Sequence, residues 1–221
     1  MTQNRIQTDR DVVSELTTGR LSVYLRCLSY LQSLHQETVS SAELAARFHL
    51  NSAQIRKDLA CFGEFGTRGV GYNVSQLKEH LIRELGIDRS RKVIIAGAGN
   101  LGMALADYRG FNDNGFHIAA LLDVDPAKIG RISRTGIPVL PYSDVKRIVE
   151  EQNVEIGIIA VPADAAQDVY DALVASGLSA ILNFAPVQLR TNEKVKLKSV
   201  DLRINLELLS FYLKGVEDGT A

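Results

Sequence analysis

The sequence predicts an α/β protein of two domains, in which a small helical domain precedes a parallel β-sheet with helices on both faces. The sheet is predicted by an apolar stretch at 93–96 that runs into a GxGxxG turn, and by the strand and helix alternation that follows. The helical domain is predicted by two short helices joined by a tight turn. Together these patterns indicate an N-terminal winged helix-turn-helix domain and a C-terminal Rossmann-type sheet.

A polar stretch at 87–91 separates the two patterns, and we place the domain boundary there. This boundary gives a first domain at 1–86, a second at 87–203, and a C-terminal helix and tail at 204–221.

Composition excludes several classes of protein. The 221 residues are 46% hydrophobic and 23% charged, as in ordinary globular proteins. The sequence shows neither an apolar run long enough to cross a membrane nor the apolar core of a signal peptide, so we expect a cytoplasmic protein. The two cysteines are far apart and the four histidines lack the spacing of metal ligands, so we expect no disulfide and no metal site. With a net charge of -1, any binding of nucleic acid must depend on where the basic residues lie.

Three helices are predicted in the first part of the chain, after a weakly patterned tail with a short helix at 9–16. Apolar residues at helical spacing from Arg20 onward give a first helix that ends near His35. Ser40 and Glu43 form a capping box that begins the second helix, and Asn51 begins the third, at 52–62. The third helix is predicted to bury Ile55, Leu59 and Phe62 and to carry Gln54, Arg56, Lys57 and Asp58 on its other faces.

The second and third helices match the helix-turn-helix motif, whose second helix enters the major groove of DNA. In that geometry the N-terminal half of the second helix reaches base edges and phosphates. The candidate DNA-binding residues there are Ser52, Gln54, Arg56 and Lys57. The alternative is a three-helix domain whose charged face is only solvated.

The segment 63–72 has four glycines among aromatic and β-branched residues, which predicts a twisted hairpin with positive φ angles. A hairpin directly after a recognition helix is a wing. Arg68 at its tip would enter a narrow minor groove, where the negative potential favours a guanidinium. An ordinary surface loop has the same composition, so this role of Arg68 depends on the helices before it. We expect Ser75 to cap the next helix and Gly86 to end it.

The glycine turn, residues 97–102, indicates a dinucleotide site. Gly97 permits the tight turn, Gly99 lets phosphates approach the backbone, and Gly102 lets the next helix pack closely on the strand. The following predicted strand ends in Asp123, about twenty residues after the turn, where a carboxylate that binds ribose is expected. The alternative is a glycine-rich turn that binds nothing.

The alternation continues with helices at 142–152 and 163–176 and strands at 156–161 and 180–183. Val161 with Pro162, and the four residues 183–186, would lie at the carboxyl edge of the sheet, where such folds bind ligands. We therefore predict contact with the cofactor, although a proline in this place often only ends a strand.

The end of the chain reads as a strand-like stretch at 200–203 and a strongly apolar helix at 205–213. Such a helix must pack either on its own domain, which is the simpler arrangement, or on a second subunit.

Four stretches together resemble the Rex family of bacterial redox-sensing repressors: IRKDLACFGEFGTRGVGYNV, VIIAGAGNLGMALADYRGF, LLDVDPAKIG and ILNFAPV. The resemblance covers residues 20–213 and implies a homodimer in which the C-terminal helix is exchanged between subunits. It further implies a repressor of palindromic operator DNA that senses the ratio of NADH to NAD+ and represses genes when NADH is low.

The resemblance also implies roles for individual residues. The pyrophosphate would be held by the glycine turn, Gly97, Ala98, Gly99, Asn100, Leu101 and Gly102, and the adenosine ribose by Asp123. The nicotinamide would lie near Tyr108, Val161, Pro162, Asn183, Phe184, Ala185 and Pro186. Arg26, Tyr108 and Asp201 would couple the nucleotide pocket to the DNA-binding domains, while Gln54, Arg56, Lys57 and Arg68 would contact DNA.

A sensor of NADH is physically reasonable. An apolar pocket without a counter-charge favours the neutral dihydronicotinamide of NADH over the cationic ring of NAD+. Closure of two Rossmann domains around NADH would change the spacing of the two winged helices, which then no longer fit their half-sites. No basic pair directly follows Asp123, which favours NAD(H) over NADP(H).

Two other classes of function share this sheet. An NAD-dependent oxidoreductase needs an acid or base near the nicotinamide, and usually a second domain that completes the substrate pocket. Tyr108 is the one tempting candidate, no histidine or Lys/Tyr pair lies in an evident catalytic place, and the other domain is a winged helix. We therefore predict that the chain is not an enzyme. A binding module for coenzyme A or an acyl adenylate would be distinguished by ligand binding. Cys27 lies beside Arg26, where a reactive thiol could add a second redox input, but a buried and inert cysteine is the simpler interpretation.

Overall fold

The computed structural model describes residues 14–67 and 69–217. Arg68 and most of the short helix predicted at 9–16 lie outside the described residues. The chain divides into two compact units, Met1–Arg89 and Ser90–Ala221, which meet inside the polar stretch where the sequence places the boundary. They are called the N-terminal and C-terminal units below.

The described part of the N-terminal unit contains four helices and a pair of two-residue strands. The helices are α1 (Glu15–Ser33), α2 (Ser41–Phe48), α3 (Ser52–Ala60) and α4 (Val74–Glu84), and the antiparallel strands are β1 (Thr38–Val39) and β2 (Tyr72–Asn73). Its core contains the apolar positions of α1 at helical spacing, which pack with those of the other helices: Leu21, Leu28, Leu31, Leu44, Ile55, Leu59, Leu77 and Leu81. These contacts hold α2 and α3 in the helix-turn-helix arrangement that the sequence predicts.

Side chains at the N-caps fix where these helices begin. The capping box of α2 is confirmed: the Glu43 backbone N–H donates to Ser40 Oγ, and the Ser40 N–H donates to Glu43 Oε2. The cap of α3 is confirmed too, since Asn51 Oδ1 accepts the Gln54 N–H at 3.0 Å. The expected cap of α4 at Ser75 is wrong, because Asn73 Oδ1 accepts the Gln76 N–H at 2.9 Å and the helix begins at Val74.

The predicted wing is smaller than a full hairpin. Within 63–71 the described backbone forms one antiparallel bridge, in which the Thr67 N–H donates to the Gly71 carbonyl at 3.0 Å. The next strand, β2, pairs with β1 instead of with a strand inside the segment. Gly71 has φ +95°, and a Cβ there would press on the Val39 carbonyl of β1. The segment is therefore a tight glycine turn that leans on the β1–β2 pair.

The C-terminal unit contains a six-stranded sheet in which every pair of neighbours is parallel, in the order β5-β4-β3-β6-β7-β8. The strands are β3 (Arg91–Ala96), β4 (Phe116–Asp123), β5 (Val139–Pro141), β6 (Ile156–Ile159), β7 (Ala180–Asn183) and β8 (Lys196–Ser199). The helices are α5 (Asn100–Ala106), α6 (Arg109–Asn112), α7 (Val145–Gln152), α8 (Ala166–Ala175) and α9 (Leu202–Glu217), with a 3-10 turn at Tyr142–Asp144. The predicted α/β class is confirmed.

Strand β3 shows why the sequence of a central parallel strand is continuously apolar. Val93 and Ile95 belong to the core on the face covered by α5 and α6, whereas Ile94 and Ala96 belong to the core under α7 and α8. Because side chains alternate between the two faces of a strand, both sets must be apolar when both faces are covered.

The C-terminal end differs from the sequence prediction. The prediction of a strand at 200–203 is wrong, because the last described strand, β8, is Lys196–Ser199 and α9 begins at Leu202. Asp201 Oδ1 accepts the Arg203 N–H at 2.9 Å, so this residue ends the loop and starts the helix. Apolar residues of α9 such as Leu206, Leu209 and Phe211 are more than half exposed. None of the described helices is both long enough and apolar enough to cross a membrane.

Candidate functional site

The glycine turn lies where three strands of the sheet end. Gly97 follows β3, has φ +108°, and donates its N–H to the Leu122 carbonyl of β4 at 2.7 Å. A Cβ at this position would overlap the carbonyl oxygen of Ala160, which directly follows β6. Both the left-handed φ and the close approach require glycine here.

The other two glycines of the motif have different surroundings. A Cβ on Gly102 would overlap the carbonyl oxygen of Gly97, so glycine at 102 lets the first turn of α5 lie directly on the glycine turn. Gly99 is the N-cap of α5, and a Cβ there would meet no atom within 4 Å. The space in front of the helix is therefore open, as a phosphate that approaches the backbone requires.

Asp123, at the end of β4, is 8% exposed and holds the glycine turn in place. Its carboxylate accepts the Ala98 N–H at 2.8 Å, the Asp125 N–H at 2.9 Å and Lys128 Nζ at 3.0 Å. Burial alone would raise the pKa of Asp123, but these hydrogen bonds and the charge of Lys128 outweigh burial and lower it. The carboxylate is therefore ionised and can still accept a hydroxyl hydrogen, as binding of a ribose requires.

Sequence reasoning missed Lys128. No basic pair directly follows Asp123, but a turn at 125–128, in which the Lys128 N–H donates to the Asp125 carbonyl at 3.0 Å, returns the chain to the carboxylate. Asp125 stabilises this turn by accepting the Ala127 N–H at 2.9 Å. An aspartate followed by a proline is a turn signal that could have located the lysine.

The two loops predicted to face the nicotinamide follow β6 and β7. Val161 is half-buried and Pro162 is exposed. Asn183 is 0% exposed, and its Nδ2 donates to the Ala185 carbonyl at 3.1 Å and to the Val187 carbonyl at 3.3 Å. Its Oδ1 accepts the Ala185 N–H at 2.9 Å. Asn183 therefore shapes the loop from the inside.

Tyr108, the N-cap of α6, is 59% exposed and contacts Phe111 edge to face, with ring centroids 5.0 Å apart. A Cβ on Gly110 would collide with the Tyr108 ring, so glycine there lets the ring lie across the start of α6. Asp201 belongs to the same unit, whereas Arg26 is exposed on α1 of the other. The coupling role of these three residues stays a prediction.

Cys27 is buried, and burial raises the pKa of its thiol, which agrees with an inert cysteine. Within the described residues, no three His, Cys, Asp or Glu side chains are grouped as they would be around a metal ion.

The predicted DNA-binding surface lies on α3. Ser52 and Gln54 are half-buried, while Arg56 and Lys57 are exposed. Arg56 Nη1 donates to Ser41 Oγ at 3.0 Å, which connects α3 to the start of α2. Arg56 thus already has a hydrogen-bond partner inside the helix-turn-helix.

Asp58 corrects the sequence interpretation, which placed it on a solvated face of α3. Its side chain is 3% exposed. Arg20 donates to it through Nε at 2.5 Å and Nη2 at 2.7 Å, Tyr24 through its hydroxyl at 2.8 Å, and Gln54 through Nε2 at 2.7 Å. A charged residue is rarely buried without such partners. Arg20 and Tyr24, four residues apart on α1, form one face that could have suggested a buried partner.

Comparison with known proteins gives a family match for each of the two units. Residues 88–187 match a family described as "CoA binding domain", and residues 12–60 match one described as "Putative DNA-binding protein N-terminus". Proteins named redox-sensing transcriptional repressor Rex are similar over nearly the whole chain. The one from Syntrophomonas wolfei is 53% identical over 91% of this chain and 95% of its own length. The one from Carboxydothermus hydrogenoformans is 50% identical over 91% of this chain and 97% of its own.

Solved structures with the same fold contain the expected ligands. RSP in complex with β-NAD+ and operator DNA superposes with a TM-score of 0.89 at 36% identity, over 93% of this chain and 94% of that one. RSP in complex with β-NADH gives a TM-score of 0.83 at 35% identity, over 93% of this chain and 96% of that one. RSP is described as a Rex-family repressor.

Proposed function

This chain belongs to the Rex family of redox-sensing transcriptional repressors, and we propose that it represses transcription by binding operator DNA, which it releases when NADH is bound. The observation that carries the proposal is the presence, in one chain, of a helix-turn-helix and of a glycine turn braced by an ionised Asp123. The first binds DNA and the second binds a dinucleotide.

The dinucleotide is proposed to lie along the carboxyl edge of the sheet. Gly99 leaves room for the pyrophosphate before α5, and Asp123 offers an acceptor to the adenosine ribose. Lys128 holds the Asp123 carboxylate, which limits its freedom to turn away from the sugar. The nicotinamide then extends toward the loops after β6 and β7, where Val161, Pro162 and residues 184–186 lie.

Discrimination between the two redox forms follows from charge. The side-chain amide of Asn183 is already hydrogen-bonded to the backbone of its own loop. The next three residues of the loop, Phe184, Ala185 and Pro186, carry no charge. A cationic ring loses its hydration on entering such surroundings and gains no partner, whereas the neutral ring of NADH loses less. We therefore propose that NADH binds more tightly than NAD+.

DNA recognition is assigned to α3 and the turn that follows it. Ser52, Gln54, Arg56, Lys57 and Arg68 are the proposed contacts, with α3 in the major groove. Lys57 and Arg56 would neutralise phosphates, which makes binding sensitive to salt. Because a bacterial operator lies in the cytoplasm, we propose that location for the protein.

A homodimer is the proposed DNA-binding form. Apolar side chains of α9 are exposed around the helix, including Leu206, Leu208, Leu209, Phe211 and Leu213, more than a helix that stands free in water tolerates. A second copy would cover them, and two copies of α3 would match the symmetry of a palindromic operator.

Arg26, Tyr108 and Asp201 are the proposed link between nucleotide and DNA binding. NADH can shift the dimer from its DNA-binding arrangement to a closed one only if it binds the closed arrangement more tightly.

Two alternatives are separable by experiment. The match to a CoA-binding family favours coenzyme A as a second candidate ligand, since CoA and NAD both contain an adenosine diphosphate moiety. A dehydrogenase is disfavoured, because the relatives that are about half identical over nearly their full length are repressors.

The test is a mobility-shift titration on a palindromic operator selected from random DNA, with NADH, NAD+ and CoA added separately at low salt. We expect NADH to release the DNA at lower concentration than either of the other two. Equal effects of NADH and NAD+ would refute redox sensing, and release by CoA alone would make CoA the ligand. The absence of any bound palindrome would refute the repressor function.

A further inference from the structure

The buried carboxylate of Asp58 has all of its acceptor positions filled. Oδ2 accepts Arg20 Nε at 2.5 Å and the Tyr24 hydroxyl at 2.8 Å. Oδ1 accepts Arg20 Nη2 at 2.7 Å and Gln54 Nε2 at 2.7 Å. A carboxylate offers about four lone-pair sites, so each of these four donors occupies one of them.

Asp58 is ionised in this arrangement. Burial by itself raises its pKa, but the hydrogen bonds from Arg20, Gln54 and Tyr24, with the charge of Arg20, outweigh burial and lower it. An ionised carboxylate can only accept hydrogen bonds. Gln54 must therefore turn its NH2 group, and not its carbonyl oxygen, toward Asp58.

This contact fixes what the amide of Gln54 offers to anything outside. One hydrogen of Nε2 is used by Asp58, which leaves the second hydrogen and Oε1 available. Among the described residues, Oε1 has no hydrogen-bond partner of its own. Gln54 is half-buried in the first turn of α3 and bonds to Asp58, four residues further along the same helix.

We propose that Asp58 is a positioning residue for sequence recognition, and that it sets Gln54 to read an adenine in each half of the operator. This inference rests on the proposed DNA-binding function. In the major groove adenine presents a donor at N6 beside an acceptor at N7, and one glutamine amide pairs with both. Oε1 accepts from N6, and the remaining N–H donates to N7.

The same fixed amide rejects guanine. Guanine presents two acceptors, O6 and N7, and its O6 would face Oε1 of Gln54. A glutamine whose amide turns freely could rotate its NH2 group toward O6 and reduce this penalty. The negative charge of Asp58 opposes that rotation, because it would bring Oε1 against a carboxylate that can only accept.

The experiment uses the full-length protein and an operator selected from random DNA without NADH. Each position of one half-site is replaced by the four bases in turn, and the binding constants are compared. For the unaltered protein we expect one position at which adenine is preferred over guanine by about tenfold or more. With Gln54→Ala we expect that preference, and no other, to fall to within about twofold. An unchanged set of preferences would overturn the proposal.

Base analogues test the same contact without altering the protein. At the identified position, 7-deazaadenine lacks the N7 acceptor and purine lacks the N6 donor. Each is expected to weaken binding by the unaltered protein several-fold and to leave binding by Gln54→Ala unchanged. Equal effects on both proteins would show that Gln54 does not make these bonds.

The role of Asp58 is tested with Asp58→Asn, matched to Tyr24→Phe. Asparagine keeps the shape but can donate as well as accept, so the Gln54 amide is no longer fixed, and we expect the preference for adenine over guanine to fall at that position alone. Tyr24→Phe removes a donor from Oδ2 and leaves the Gln54 contact with Oδ1, so the preference should remain. Equal losses at every position, or equal losses in both variants, would reduce Asp58 to a purely structural role.

The failure of this inference is distinguishable from failure of the proposed function. A protein that binds a palindrome and releases it with NADH, but shows no position dependent on Gln54, refutes the inference alone. Should Asp58→Asn fail to fold, the analogues and Gln54→Ala still decide whether Gln54 reads adenine. In the Gln54→Ala background, a foldable Asp58→Asn should cause no further change at that position.

Discussion

Single residues in this chain carry roles that their positions in the sequence only partly reveal. Gly97 and Gly102 could be assigned from the motif because each has a steric reason to be glycine, and the motif records that reason. Asp58 could not, because a charged residue on a short helix is usually solvated and its partners, Arg20 and Tyr24, lie on another helix. Local patterns predict local roles, whereas a buried ion pair depends on which helices pack together.

The pH dependence of stability should reveal Asp58. Its pKa is lower in the folded state than the value of about 3.9 for an unfolded aspartate, so its stabilisation is fully present above that value. It is lost as the pH falls further through the folded pKa. We therefore expect the advantage of the unaltered protein over Asp58→Asn to be constant near neutral pH and to shrink below about pH 4.

Urea unfolding followed by NMR signals from α1 and α3 would measure this difference. The control, Asp88→Asn, alters an exposed carboxylate of the same unit and should change stability by less than about 0.5 kcal/mol. An advantage that grows on acidification would contradict the assignment.

Two glycine variants separate folding from ligand binding. Gly102→Ala places a Cβ on the Gly97 carbonyl, so we expect it to lower the stability of the C-terminal unit by about 1–3 kcal/mol and to abolish NADH binding. Gly99→Ala places its Cβ in open space, so stability should fall by no more than about 1 kcal/mol, the cost of alanine at an N-cap. Its NADH affinity should still fall, since the methyl group occupies the space proposed for the pyrophosphate.

Thermal unfolding without ligand and titration of NADH fluorescence provide the two measurements. Unchanged affinity in a stable Gly99→Ala protein would mean that the pyrophosphate does not lie before α5.

At the scale of elements, the quality of prediction follows the strength of the local signal. The central strand β3 and the beginnings of α2 and α3 could be predicted, because continuous apolar residues and capping side chains are signals within the element itself. Strands β5 and β8 could not. β5 has three residues, and β8 alternates lysine with other residues, as edge strands often do. Their places are set by the neighbours that they pair with.

The start of α4 offers a direct test of helix capping. Asn73→Ala removes the oxygen that accepts the Gln76 N–H, so we expect a loss of about 1 kcal/mol in the stability of the N-terminal unit. Ser75→Ala is the matched control, since Ser75 is exposed in the first turn and should be nearly neutral. Chemical denaturation of both variants would measure the difference, and a larger loss at Ser75 would restore it as the cap.

At the scale of the whole molecule, the apolar surface of α9 is proposed to link association of two copies to DNA binding. Leu206→Asp combined with Leu209→Asp places charge where a second copy is proposed to pack, so we expect monomers by sedimentation and a loss of operator affinity of at least tenfold. A variant whose C-terminal unit still binds NADH is folded, so NADH binding distinguishes a loss of association from unfolding.

The control for this variant is Ile132→Asp, which alters an equally exposed apolar residue in the loop before β5. It should remain dimeric and bind the operator normally. Dimers of the α9 variant would mean that another surface holds the two copies together.

The junction of three strands at the glycine turn has a consequence for biosynthesis. Gly97 donates a hydrogen bond to the end of β4 and lies against Ala160, beyond the end of β6, so the proposed nucleotide site is incomplete until the chain has been synthesised past that point. The N-terminal unit emerges from the ribosome first, and domains generally fold in that order. A partly made chain therefore possesses its proposed DNA-reading helix before it can bind NADH. The apolar helix α9 follows all six strands of the sheet in the chain, so the proposed pairing of two copies through α9 is postponed until each copy can already bind the nucleotide.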